Sequence, residues 1–154
     1  MREIKFRVYD PITKKIYPVN DINFWLDQVN AHTHPNDKEK YELVDLDEGG
    51  ILMQYTGLKD KNGKEIYEGD LVKLTGWYYK NERQKEKQDF DLVCRVEYDN
   101  TVACYNLIHV DLPGSYLKFF DVLIVTHDRQ FEVIGNIYSN PELLEAITVH
   151  GAKK

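Results

Sequence analysis

His32, Thr33 and His34 bring two imidazoles within three residues, and Asp37 adds a carboxylate nearby. Imidazole and carboxylate are common zinc ligands, so this run could hold a metal that activates water for hydrolysis. Its spacing departs from the HxHxDH element of metallo-hydrolases, because Asn36 and Asp37 stand where that element has Asp and His. His109, His127 and His150 are scattered and join only if the fold brings them together. Solvated loop histidines are the default reading, so no metal and no cofactor are expected, and a hydrolase on His32 and His34 ranks third. Asp45, Asp47 and Glu48 resemble a calcium loop in charge alone, without the Gly and terminal Glu of an EF-hand. Nucleophilic catalysis has no local context such as G-x-S-x-G, and neither phosphate-cradling glycine motif occurs. The expectation is a protein that is not an enzyme.

Binding chemistry is better represented. Trp77, Tyr78, Tyr79 and Lys80 are followed by Arg83, Lys85 and Lys87. Rings beside cations on a small β-barrel can stack bases and steer phosphates, as single-strand nucleic-acid binders do. Glu82, Glu86, Asp89 and Asp91 cancel that local charge, which favours a core or interface aromatic cluster followed by a solvated loop. The same rings would serve as anchors in a protein interface.

The elements that must position these side chains are mostly strands. The 154 residues are 42% hydrophobic, enough for one domain with a real core, and a formal charge of −6 gives no overall attraction to nucleic acid or an anionic membrane. No apolar run approaches the roughly 20 residues of a membrane helix, and the first residues lack a signal-peptide core. Two cysteines make no disulfide framework, which points to a cytoplasmic protein. Ile4, Phe6 and Val8 alternate with Lys5, Arg7 and Tyr9 as in a half-buried strand, and Asp10-Pro11 starts a turn. Ile16-Tyr17 begins the return, where Pro18 argues for an edge strand or an early exit. Phe24 and Trp25 form an aromatic patch before a polar loop over 28–40 and a run rich in acids up to Glu48. Ile51 to Tyr55 reads as the next strand. Asn62-Gly63 is the dipeptide that best suits a type I′ turn, here within a polar loop. Glu68-Gly69-Asp70 is a second turn, and Leu71 to Tyr79 a strand with Val72 and Leu74 on one face and a bulge or bend at Gly76.

The like-charged i,i+4 pairs between Lys80 and Asp91 predict a long solvated loop or mobile hairpin tip. Leu92 to Tyr98 and Val102 to Ile108 form a hairpin, and a turn centred on Asp99 would set Cys94 opposite Cys104 as two small core thiols. Leu117 to Val125 is either strand or short helix. Phe131 to Tyr138 is a strand with a tight spot at Gly135, and Asn140-Pro141-Glu142 starts a short helix. The expected fold is mainly β: a small antiparallel, SH3-like, partly open barrel. It would occupy 51–138 with an insertion at 80–91, an N-terminal β extension and acidic loop over 1–50, and a C-terminal helix over 139–150.

Three blocks carry a resemblance: REIKFRVYD near the start, LMQYTGLKDKNGKEIYEGDLVKL in the middle and EVIGNIYSNPELLE near the end. In order and over nearly the full length, they resemble the YopX family of phage and prophage proteins. The resemblance implies a phage or prophage protein in a bacterial cytoplasm, forming homo-oligomers built on trimers, with no catalytic mechanism attached. Tyr55, Gly57, Asp60, Gly63, Gly69 and Asp70 of the central block read as turn-makers, because Gly permits positive φ and Asp caps backbone amides. The leading functional expectation is an accessory binding module whose partner is a phage or host protein. A nucleic-acid module using Trp77 to Lys87 is the first alternative.

Overall fold

The computed structural model describes residues 3–32, 40–81, 86–110, 116–118 and 127–144. The chain divides into two compact units, Met1–Gly57 and Leu58–Lys154. The first contains β1 (Phe6–Asp10), β2 (Lys15–Asn23), β3 (Gln28–His32), β4 (Tyr41–Asp45) and most of β5 (Ile51–Lys59). Its antiparallel order is β4-β3-β2-β1-β5, a meander in which β5 returns beside β1. Val8, Val29, Ala31 and Val44 are buried together, with Tyr17, Val19, Ile22, Leu46 and Leu52 packed around them.

The second unit contains β6 (Glu65–Tyr67), β7 (Asp70–Asn81), β8 (Glu86–Asp99), β9 (Cys104–His109), β10 (Tyr116–Lys118) and β11 (His127–Asn136). Its main sheet is antiparallel in the order β10-β9-β8-β7-β11, followed by a helical turn at 141–144. Ile66, Val72, Leu74, Cys94, Val96, Leu107 and Phe131 form its core. The mainly β fold and the C-terminal helix match the sequence reading. Where a partly open barrel was expected, the described residues form two antiparallel sheets with no closed barrel, β11 pairing with β7 and not with the far strand. The N-terminal segment is more than an extension hairpin, since its alternating valines bury a core of their own.

Several local readings change for identifiable reasons. Pro18 lies where β2 hands over from β1 (Arg7 opposite Pro18) to β3 (Val19 opposite Ala31), so β2 continues to Asn23 between two neighbours. The charged segment after Tyr79 extends the sheet: Trp77 pairs with Asp89, Tyr78 with Gln88 and Tyr79 with Lys87. Its stabilising contacts are cross-strand, where an i,i+4 reading does not look. Gly76 pairs regularly with Phe90, and the irregularity lies on β11, between His127 opposite Trp77 and Gln130 opposite Thr75. Cys94 pairs with His109 and Cys104 with Asp99, so the two free thiols are not facing neighbours. Within 117–125 only the strand residues 117 and 118 are described.

One turn recipe recurs. Asp10, Asn23, Asp45 and Asp99 each use a side-chain oxygen to accept the amide hydrogen of the second residue ahead, Ile12, Trp25, Asp47 and Thr101 respectively. Four residues after each capping residue the backbone enters positive φ, at Lys14 (57°), Asp27 (49°), Gly49 (97°) and Ala103 (53°). This is the Asx cap of a four-residue loop, and it fixes the backbone while most of the loop side chains stay exposed, Leu46 being one that packs against the core. The Cys94–Cys104 register follows from it: the loop occupies Asn100 to Ala103, not a tight turn centred on Asp99.

Candidate functional site

His32 ends β3 with its ring centroid 4.8 Å from that of Tyr41 on β4. Thr33, His34, Asp37 and His150 lie outside the described residues. His109 is buried on β9. Among the described residues no group of three or more His, Cys, Asp or Glu side chains could hold a metal ion. The Asp45 carboxylate accepts the amides of Asp47 and Glu48.

The central block is built around backbone hydrogen bonds. Tyr55 is buried on β5, with the Lys5 ammonium 5.8 Å from its ring centroid. Gly57, Gly63 and Gly69 have φ of 90°, 81° and 76°. Asn62 is not in positive φ, so the Asn-Gly pair forms no type I′ turn; the Gly63 amide donates to the Asp60 carbonyl and Gly63 alone carries the left-handed backbone. Asp60 accepts from the amides of Asn62 (2.8 Å) and Lys64 (2.9 Å), and with its other oxygen from Val133 on β11 (3.1 Å). Burial pushes its carboxyl up, but the amides of Val133, Lys64 and Asn62, with the charge of Lys64, together hold it below the usual value. Asp70, fully buried, accepts from the Tyr67 amide at 2.8 Å and from the Asn136 side chain at 3.3 Å.

The aromatic run of β7 splits between two faces, as strand pleating requires. Trp77 and Tyr79 share one face, edge to face at 5.2 Å, and the Lys87 ammonium lies 4.0 Å from the Trp77 ring centroid. Tyr78 faces the other way and meets Phe90, which packs against the core. Lys80 is a strand residue of β7, and Arg83 and Lys85 lie outside the described residues. Asp89 is paired with Trp77, and Asp91 bridges to Lys73 at 3.0 Å.

A second aromatic group did not stand out as a site in the sequence. Phe24, Trp25 and Leu26 occupy the loop between β2 and β3 and are 78%, 91% and 54% exposed. Asn23 holds this loop by accepting the amides of Trp25 (3.0 Å) and Leu26 (3.2 Å). The Leu46 amide donates to the Asp27 carbonyl at 2.8 Å, tying the loop to the turn after β4. The same turn contributes Asp45 and Glu48 to a pocket of about 290 Å³, lined also by Asp10, Ile12, Glu42 and Leu43. The signal for the tip was the bracketing of three large apolar residues by Asn23 and Asp27, both turn-favouring types.

These features define a small, mainly β protein whose central block serves turns and whose two most exposed aromatic side chains among the described residues, Phe24 and Trp25, share one loop. The chain belongs to the YopX protein family, whose model matches residues 5–145. A similar solved structure is that of protein EF1440 from Enterococcus faecalis, with 23% sequence identity and a TM-score of 0.50 over 94% of this chain and 99% of that one. That likeness speaks for the fold alone. No curated protein matches the chain.

Proposed function

We propose that the protein acts by binding another protein rather than by catalysis, with the Phe24–Leu26 tip as an anchor. In keeping with the family resemblance, it works as an oligomeric phage or prophage accessory protein in a bacterial cytoplasm, and its partner is a phage or host protein. The observation that supports this reading is the exposure of Phe24, Trp25 and Leu26 on one hydrogen-bonded loop. A loop whose backbone is already ordered loses less entropy when a partner covers its large apolar side chains. A nucleic-acid reading finds support in Trp77, Tyr79 and Lys87 on one face, but it ranks second because Asp89 and Asp91 flank that face and the net charge is −6.

The test is a photoreactive phenylalanine analogue at Phe24, irradiated in the producing bacterium and compared with the same analogue at Tyr98. The expected result is a reproducible protein adduct specific to Phe24 and lost when Trp25→Ala is added. An equal pattern at both positions, or an adduct with nucleic acid alone, would overturn the reading.

A further inference from the structure

The tip is one part of a larger surface within the Met1–Gly57 unit. Its neighbouring turn, Asp45 to Gly49, is shared with the pocket, since Asp45 and Glu48 line that pocket while Leu46 is hydrogen-bonded to Asp27. Among the described residues, every ionisable side chain lining the pocket is acidic: Asp10, Glu42, Asp45 and Glu48. Two of its apolar side chains are open to solvent, Ile12 at 83% and Leu43 at 67%. Asp27, next to Leu26 in the chain, and Asp47, next to Leu46, are two further exposed acids.

Resting on the protein-binding reading above, we propose that the partner docks here through a basic segment. Its Lys or Arg side chain enters the acidic pocket, and apolar residues next to it cover Phe24, Trp25 and Leu26. Charge complementarity selects this occupant. An acidic segment or an anionic membrane would be repelled by the carboxylates, whereas a Lys or Arg stem can lie along Ile12 and Leu43 with its head among the acids. The volume lies near the lower bound of small-molecule pockets, about 300 Å³, which suits one long side chain better than a bulky ligand. Asp10 and Asp45 cap the turns that form its walls, so the pocket is built before anything binds.

The probe is a labelled short peptide alternating leucine with arginine, titrated with the full chain and followed by fluorescence anisotropy. A leucine–glutamate peptide and a serine–arginine peptide serve as comparisons. The leucine–arginine peptide is expected to bind at low salt and to weaken as salt rises. Trp25→Ala, and separately Glu42→Gln with Glu48→Gln, should each weaken it about tenfold, whereas Asp89→Asn should leave it unchanged. Equal binding of either comparison peptide, insensitivity to those substitutions, or no peptide binding at all would overturn the inference. A protein adduct at Phe24 in the photocrosslinking test, together with no peptide binding, would remove the basic segment and leave the protein-binding reading standing. Absence of that adduct would remove the reading itself.

Discussion

The two aromatic groups of this protein differ in what their neighbours do. On β7, Trp77 has Tyr79 against its edge and the Lys87 ammonium over its face, so the rings and the cation satisfy one another within the sheet. At the β2–β3 loop, Phe24, Trp25 and Leu26 project from a backbone held by Asn23 and remain mostly exposed. Aromatic content alone is therefore a poor guide to a binding surface. A ring in a long hairpin finds cross-strand partners, whereas a ring on a short capped loop has none within reach along its own strand pair. The first arrangement contributes to stability, and the second costs little to cover.

The comparison depends on capped turns holding both regions, and the largest expected effect comes from removing one. Asp60→Ala leaves three backbone amides of the second unit without their acceptor and should cost about 3 kcal/mol, read as a lower denaturant midpoint. Asp10, Asp60 and Asp99 all have carboxyl pKa values held below 3.8. In Asp10, burial pushes upward but is outweighed by the Thr13 hydroxyl and the Ile12 and Thr13 amides; in Asp99 the Thr101 hydroxyl leads. Because the folded-state values are the lower ones, this stabilisation is present above the ordinary value of 3.8 and is lost as pH falls through them. Midpoints measured between pH 7 and pH 2 should therefore fall at the acid end, and Asp60→Asn should flatten part of that fall.

A smaller effect separates the two tryptophans. Trp77→Ala should lower stability by about 1.5 kcal/mol, since it removes a half-buried ring and its edge contact with Tyr79. Lys87→Gln removes only the cation from the indole face and should cost about 0.5 kcal/mol, with a change in the emission of Trp77. Trp25→Ala should stay within about 0.5 kcal/mol of the parent by the same denaturation measurement, because the ring is 91% exposed. A large loss of stability on Trp25→Ala would erase the contrast between the regions.

The sequence made the local features of both regions legible and hid the long-range ones. Alternation at Ile4 to Tyr9 and at Leu71 to Leu74 and the tight spot at Gly135 were legible, whereas the Asn140 side chain does not cap the helix: its oxygen accepts from the Asn136 amide and the Ser139 hydroxyl. An added Cβ at Gly135 would lie 2.7 Å from Leu143. The order of strands was not legible, because β5 beside β1 and β11 beside β7 join distant segments whose pairing depends on which apolar faces bury together. The charged run at 80–91 misled for the same reason: Lys73 with Asp91, and Lys87 with Trp77, are neighbours only across the hairpin. Asp60 could be read as a turn residue from the Asn-Gly that follows it, but its hydrogen bond from Val133 crosses 73 positions. The tip was visible as aromatic residues, yet its exposure depended on recognising Asn23 as a cap and Asp27 as a positive-φ residue.

Because the chain has two tryptophans, one in each region, their fluorescence reports on them separately. The decisive measurement titrates the leucine–arginine peptide into Trp77→Phe, which keeps Trp25, and into Trp25→Phe, which keeps Trp77. The emission of Trp25 should move to shorter wavelength and become shielded from acrylamide as peptide is added, while that of Trp77 stays unchanged. A response from Trp77 with Trp25 still open to the quencher would contradict the account and move the binding surface to the β7–β8 hairpin.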